Sequence, residues 1–104
     1  MDIFTQDRLE NERQLLGGLL SESPLAYRAA AAVVSAEHFV DQFNSYLFQI
    51  IGEATDAGLV GFERNKWIIA QIQQIPVVQQ GEEPASSIFG SYVSGAAPLV
   101  ALEF

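Results

Sequence analysis

The sequence predicts an all-α fold, a compact bundle of five or six short helices. In several segments, apolar residues recur every three or four positions, which is the spacing of amphipathic helices. No segment sustains a strict alternation of apolar and polar residues, and no Asn-Gly pair marks a hairpin turn. With 104 residues, 49% of them hydrophobic, the chain is long enough to form one folded domain over 1–104. We expect its globular part over about 7–95 and an apolar C-terminal segment over 96–104.

The first three helices have the clearest signals. Helix one is predicted over roughly 7–21, because five leucines fall on one arc of a helical wheel: Leu9, Leu15, Leu16, Leu19 and Leu20. Helix two is predicted from Pro24 to about Val34, since proline is well suited to the first position of a helix. Helix three follows Asp41, a good N-cap residue, and ends at Gly58, a good C-terminal cap.

The second half of the chain predicts two further helices separated by loops. A loop over 58–63 precedes helix four, whose apolar face consists of Trp67, Ile68, Ile69, Ile72 and Ile75. Pro76 is predicted to end that helix, and 77–84 is predicted to form a loop. Helix five begins near Pro84, and a Gly- and Pro-containing break over 95–98 separates it from the last apolar residues.

Two adjacent glycines, Gly17 and Gly18, lie inside the first predicted helix. Each glycine in a helix interior costs about 0.5–1 kcal/mol relative to alanine. We predict that the missing side chains let another helix approach closely, so that added van der Waals contact offsets this cost. The alanine-rich second helix is the expected neighbour. The alternative is that the pair allows a kink or an early end of the helix.

An acidic residue, Glu12, falls among the leucines on the apolar arc of the same helix. A buried carboxylate is expensive unless a cation pairs with it or hydrogen-bond donors surround it. We expect Arg28 or His38 to be that partner. The alternative is that Glu12 lies at the edge of the apolar face with its oxygens in water.

Residues typical of catalytic sites are scarce. The chain has no cysteine, His38 is its only histidine, and no G-x-S-x-G motif occurs. Acidic pairs such as Glu82 and Glu83 lack the spacing of metal ligands, and the glycines match neither nucleotide-binding motif. We therefore predict that this chain is not an enzyme and holds no cofactor or metal.

The charge of the chain restricts its partners. Thirteen acidic residues against five basic ones give a net charge of −8, which repels nucleic-acid phosphates. The charge is expected to form an ordinary solvated acidic surface, with attraction of basic partners as the alternative. The N-terminal residues do not resemble a secretion signal, and no apolar run approaches the roughly 18 residues of a membrane span. We expect a cytoplasmic protein that binds neither nucleic acid nor membrane directly.

Apolar residues crowd the C-terminal part of the chain. We predict that they contribute to a partner or self-association surface, with ordinary core packing as the alternative: Ile88, Phe89, Tyr92, Val93, Leu99, Val100, Leu102 and Phe104. A less favoured hypothesis is a helical small-ligand-binding domain whose apolar pocket is lined by Trp67, Phe62 and Tyr46.

Two segments resemble the N-terminal domain of DnaB-type hexameric replicative helicases. LENERQLLGGLLSE, residues 9–22, fits the first-helix pattern L-E-x-E-x-x-[VL]-L-G-[GA]-[LM] of that domain. Residues 33–58 are similar to the family's segment L-x-x-x-D-F-[YF]-x-x-x-H-x-x-I-[FY] and the helix and closing glycine after it, aligning Phe39, Leu47, Phe48 and Gly58. Phe43-Asn44 stands where the family usually has Pro-His. This departure removes a histidine that can pair with Glu12, and it either abolishes the pairing or transfers it to another residue.

The resemblance implies a helical domain without catalysis. In that family the domain forms the N-terminal collar of the hexameric ring, self-associates partly through a helical hairpin, and contacts primase and loader proteins. The ATPase motor of such helicases is missing from this sequence. We predict a protein-interaction and oligomerisation domain of a DnaB-type replicative helicase, with helicase protomers, primase or loader as partners. The alternative is a free-standing adaptor or inhibitor, for example one encoded by a phage, that mimics the collar.

Overall fold

Six α-helices form most of the chain in this computed structural model, which describes the backbone of residues 3–21 and 24–94 and the side chains of 8–21 and 26–94. The helices are α1 (Ile3–Ser21), α2 (Pro24–Ala31), α3 (Gln42–Asp56), α4 (Gly61–Gln73), α5 (Pro76–Gln80) and α6 (Ala85–Ser94). A 3-10 turn, Ala36–His38, connects α2 to α3. The described residues contain no strand, which confirms the predicted all-α fold. None of the described helices combines the length and the apolar character that crossing a membrane requires.

The ends of α3 follow the predicted capping residues. Asp41 is the N-cap, and its Oδ1 accepts a hydrogen bond from the backbone N–H of Asn44 at 3.0 Å. At the other end, Gly58 adopts a φ of 76°, in the left-handed region that glycine enters without strain. The predictions for α1, α2 and the start of α6 are correct to within a few residues.

The segment between α4 and α6 differs from the prediction. Pro76–Gln80, expected to begin a loop, forms the short helix α5, and α4 begins at Gly61, inside the predicted loop. Pro76 does end the preceding helix, but its fixed φ also suits the first residue of the next one. The predicted break over 95–98 and the apolar residues after it lie outside the described residues.

The core lies between α1, α3, α4 and α6. α1 packs mainly against α6 and α3, while α3 also packs against α4 and α2. Five large side chains are fully buried at the centre: Leu16, Leu47, Ile51, Ile68 and Ile72. Burying such a side chain contributes about 1.5–3 kcal/mol, so these contacts dominate the stabilisation of the bundle.

Gly17 and Gly18 are both buried within α1. α1 contacts α6 and α3 most and α2 as well in the described part of the chain, so the expectation that α2 lies against the glycine pair stays a prediction. α2 lies on α3, where a Cβ added to Gly52 would come within 2.8 Å of Tyr27 Cζ. Gly52 of α3 thus lacks a side chain at a point where α2 approaches closely, and the packing role of the pair in α1 stays a prediction.

Arg64 is a buried cation at the end of α1. Its Nη2 donates to the carbonyl of Leu19 at 2.7 Å, and its Nη1 donates to the carbonyl of Leu20 at 3.2 Å. These carbonyls belong to the last turn of α1, which leaves oxygens without helical partners and carries a partial negative charge. Burial lowers the pKa of Arg64 from its usual value. The side chain thus fastens α4 to the C-terminus of α1.

Candidate interaction surface

Glu12 is buried and accepts hydrogen bonds from the start of α3. Its side chain lies in α1, and the residue is 7% exposed. Oε2 accepts from the backbone N–H of Val40 at 2.7 Å, and Oε1 accepts from Asn44 Nδ2 at 3.1 Å and from the backbone N–H of Asp41 at 3.4 Å. Arg8 Nε lies 3.7 Å from Oε2 and adds an ion pair on the exposed side. The carboxylate therefore ties α1 to the segment that leads into α3.

Asn44 extends this contact to α6. Its Oδ1 accepts a hydrogen bond of 2.5 Å from the hydroxyl of Tyr92, which is 8% exposed. Arg13 lies 4.6 Å from the centroid of the Tyr92 ring and donates to Ser91. We call Glu12, Asn44 and Tyr92 the polar junction, because they join α1, α3 and α6.

The phenol of the polar junction has a shifted pKa. Burial, opposed by the positive charge of Arg13 and aided by the negative charges of Asp41 and Glu12, raises the pKa of Tyr92 to about 12. The hydroxyl therefore remains a donor to Asn44 throughout the neutral pH range. This favours a fixed hydrogen-bond direction from Tyr92 through Asn44 to Glu12.

The partners expected for Glu12 were wrong. Arg28 is exposed on α2, and the His38 ring accepts a hydrogen bond at Nδ1 from the backbone N–H of Ser35 at 3.0 Å. His38 thus closes the 3-10 turn, while its carbonyl accepts from Arg8 Nη2 at 2.5 Å. Asn44, the residue at the departure from the Pro-His pattern, donates to the carboxylate instead.

The described residues offer little for catalysis. Ser35 Oγ lies 3.5 Å from His38 Nδ1, but the backbone N–H of Ser35 already occupies that nitrogen. The histidine therefore does not activate the hydroxyl as a base does in a nucleophilic site. Within the described residues, no three His, Asp or Glu side chains are grouped as a metal site requires.

The predicted partner surface on α6 is mostly packed inside the bundle. Tyr92 is buried, and Ile88, Phe89 and Val93 are half-buried against the core. The burial of Tyr92 contradicts its assignment to an open surface, because its hydroxyl donates to Asn44 and its ring packs against Phe43 and Arg13. Leu99, Val100, Leu102 and Phe104 lie outside the described residues.

The aromatic residues suggested for a ligand pocket do not enclose one. Phe62 is 79% exposed and Tyr46 is 41% exposed, whereas Trp67 is half-buried against the core. A pocket that holds a small ligand buries most of its lining from solvent, which the exposure of Phe62 prevents.

An open apolar groove lies at the N-terminal end of α3. Two adjoining hollows of about 390 and 410 Å³ share Asp41, Phe43 and Val77 and together extend from α6 past α5 to the end of α4. The apolar lining consists of Phe43, Tyr46, Ile75, Val77, Val78 and Ile88. Carboxylates of Asp41, Glu82 and Glu83 border it, and none of the described lysine or arginine side chains lines either hollow. We call this feature the acidic groove.

The polar junction supports one wall of the acidic groove. Phe43 and Tyr92 pack with their ring centroids 5.8 Å apart, and Tyr92 is in turn fixed by Asn44. Asp41 connects the two features, because its backbone N–H donates to Glu12 of the polar junction while its side chain caps α3 and borders the groove. The groove is therefore held by buried hydrogen bonds rather than by surface contacts alone.

Comparison with known proteins places this fold in a family. Neither the curated proteins nor the solved structures searched include a significant match to the chain. The family model for the DnaB-like helicase N-terminal domain matches residues 5–60, which is more than half of the 104 residues. The matched region contains Glu12, Asp41 and Asn44, together with most of α1 and all of α2 and α3. The chain therefore belongs to the family of DnaB-like helicase N-terminal domains.

Proposed function

We propose that this chain is a non-catalytic interaction and oligomerisation domain of a DnaB-type replicative helicase, which contacts helicase protomers and a primase or helicase loader. The observation that carries the proposal is the family match over residues 5–60. Domains of this family take part in helicase oligomerisation and in protein interactions. Two of the three residues of the polar junction, Glu12 and Asn44, lie within the matched region.

The surface of the domain supports a role in protein binding. Large apolar side chains are exposed at several places on the described surface: Val33, Val40, Tyr46, Val60, Phe62 and Val77. Exposed apolar groups that are grouped within a groove mark interaction sites more often than single ones do. The net charge of −8 disfavours direct contact with DNA, which is consistent with a domain that acts through proteins.

Binding to purified replication proteins tests this proposal. The chain is immobilised and exposed separately to the full-length helicase, primase and loader of the organism that encodes it. Light scattering after size-exclusion chromatography measures self-association of the chain in parallel. We expect the chain to retain at least one of these proteins or to form a defined oligomer. An unrelated acidic helical protein of similar charge is the control and should do neither. A chain that remains monomeric and retains none of the three proteins contradicts the proposal.

The free-standing adaptor that the sequence also allows makes a different prediction in a functional assay. An adaptor or inhibitor added in trans changes unwinding or loading by the intact helicase. An interaction domain of the helicase itself instead competes for primase or loader, and without these proteins it leaves unwinding by the preassembled helicase hexamer unchanged. Strand-displacement assays with and without primase therefore separate these two roles.

A further inference from the structure

We propose that the acidic groove binds a lysine- or arginine-bearing amphipathic helix of a partner protein. This inference rests on the proposed function, because it assigns a surface and a partner chemistry to the interaction domain. The groove combines an apolar lining with a border of like charge, and these two properties together define what fits it.

The apolar lining contains side chains that the fold itself leaves open. Val77 is 62% exposed in α5, and Tyr46 and Phe43 lie beside it on α3. These residues belong to two helices and offer adjoining positions to apolar side chains that recur every three or four residues. An amphipathic helix presents such a row along one face. The short helix α5, which places Val77 between the two hollows, creates this site.

The charges around the groove select a basic partner. Asp41, Glu82 and Glu83 border it, and Glu53 lies along the neighbouring surface that continues past Ile75. None of the basic side chains of the described residues lines the groove: they are Arg8 and Arg13 on α1, Arg28 on α2, and Arg64 and Lys66 on α4. Arg13 adjoins it, because it packs on the ring of Tyr92, which lines the hollow beside α6. When an amphipathic helix binds, lysine or arginine side chains beside its apolar face lie opposite the carboxylates of this border. This attraction increases the association rate, and the same carboxylates repel acidic segments.

The same charge argues against a second copy of this chain as the occupant. The chain has 13 acidic and 5 basic residues, so two copies repel each other at a border that carries only carboxylates. The last apolar residues of the chain include Glu103 and bear no basic residue, so they lack the complementary charge as well. A partner segment rich in lysine or arginine meets both requirements of the groove.

A designed peptide pair measures this preference. The probe is a fluorescein-labelled amphipathic helix of leucine and lysine, and its twin has glutamate in place of every lysine. Fluorescence anisotropy is recorded with the full chain at low and at physiological salt. We expect the lysine helix to bind and the glutamate helix not to bind. Binding of the lysine helix should weaken as salt increases, since exposed charges are screened beyond about 8–10 Å.

Two groove variants and two matched controls locate the site. Val77→Ser removes the exposed apolar anchor and should weaken binding of the lysine helix by about 10-fold, the equivalent of part of one buried valine. Glu82→Lys with Glu83→Lys should weaken it by a similar factor of about 10 at low salt. Val33→Ser and the pair Glu37→Lys with Glu63→Lys change exposed residues of the same types outside the groove, and should alter binding by less than about 2-fold. Circular dichroism checks that every variant keeps its helix content.

The outcomes separate this inference from the proposed function. Equal losses in groove and control variants, or equal binding of both peptides, overturn the groove assignment. Loss of self-association in Val77→Ser without loss of peptide binding also overturns it and assigns the groove to a second copy. If the wild-type chain retains primase, loader or helicase and the groove variants retain it equally well, the proposed function stands and this inference fails. If the lysine helix binds only through the groove but no replication protein is retained, the proposed function fails and the groove specificity stands.

Discussion

Asn44 Nδ2 lies 3.1 Å from Glu12 Oε1, so an asparagine of α3 serves as the partner of the buried glutamate of α1. The other end of the same amide accepts the hydroxyl of Tyr92 at 2.5 Å. Asn44 stands where the resemblance to DnaB-type domains leads one to expect a histidine. A neutral imidazole also offers one donor and one acceptor, so an amide can fill both roles at this position. Of the two outcomes expected from the departure at Phe43-Asn44, loss of the Glu12 pairing or its transfer to another residue, the structure shows the transfer, and the new partner is Asn44.

Replacing Glu12 by glutamine should destabilise the domain. Oε2 accepts from Val40 and Oε1 from Asn44, so an NH₂ group at either position faces a donor. A buried polar group left without its partner costs about 1–3 kcal/mol. We expect Glu12→Gln to lower the free energy of unfolding by about that amount in urea titrations at neutral pH.

Glu10 supplies the control for this substitution. It is an exposed residue on the same helix, and within the part of the chain that the structure describes its carboxylate accepts a single hydrogen bond, from Gln14 Nε2 at 3.2 Å. Glu10→Gln should leave the urea midpoint nearly unchanged. If the two variants are equally stable, the carboxylate of Glu12 is not needed to hold α1 against α3.

The sequence predicts the helices well and the partners of buried polar residues poorly. Helical periodicity places Glu12 among leucines, which correctly marks it as unusual, but its partner Asn44 is 32 positions away. Periodicity determines which face of a helix is apolar and carries no information on which face of another helix meets it. Helix rotation and crossing, which depend on tertiary packing, decide that contact.

The burial of Arg64 is a feature that the sequence does indicate. This residue precedes Ile68 and Ile72 by multiples of four residues and therefore lies on the buried stripe of α4. Its burial is not expected from the residue type, because an arginine at the start of a helix usually reaches solvent. The acidic groove is not evident from the sequence, because a proline after an apolar helix indicates where that helix must stop and does not show that a further helix, here α5, begins with it.

Replacing Arg64 by methionine tests its role at the C-terminus of α1. Methionine preserves most of the apolar volume but leaves the carbonyls of Leu19 and Leu20 without their donors. The loss of these bonds exceeds the gain from removing a buried charge, so we expect a net loss of about 1–3 kcal/mol by thermal or urea unfolding.

Lys66→Met is the matched control for Arg64→Met. Lys66 is exposed on the same helix, so its replacement should change stability little. An Arg64→Met variant as stable as Lys66→Met contradicts the proposed anchoring of α4 to α1.

Tyr92 should make the stability of the domain decrease at alkaline pH. The pKa of Tyr92 is raised to about 12, whereas a tyrosine in the unfolded chain titrates near 10. Between about pH 10 and 12 the unfolded chain loses the phenolic proton that the folded protein retains, so the free energy of unfolding falls as pH rises. The stabilisation is fully present below pH 10, and its loss amounts to about 2–3 kcal/mol across this window.

Tyr92→Phe removes this part of the pH dependence. We expect it to cost about 1 kcal/mol at neutral pH through the lost bond to Asn44, and to flatten the decline above pH 10. Burial and the charge of Asp56 also raise the pKa of Tyr27, so a residual slope in the same direction should remain. Urea unfolding at several pH values measures both slopes. Identical slopes in the variant and the wild type contradict the assignment to Tyr92.

Alanine substitutions at two helical glycines should have opposite effects on stability. Gly90 lies inside α6, and an added Cβ there meets no atom within 4 Å, so Gly90→Ala should stabilise the protein by about 0.5–1 kcal/mol through helix propensity. Gly52 lies inside α3, where an added Cβ collides with the Tyr27 ring and hydroxyl. Gly52→Ala should therefore destabilise the protein by about 1–3 kcal/mol despite the same gain in propensity.

A Tyr27→Ala background removes the collision, so Gly52→Ala should become neutral or stabilising there, which a double-mutant cycle in urea measures. If Gly52→Ala stabilises the wild-type protein as Gly90→Ala does, the close approach of α2 to α3 does not require a glycine.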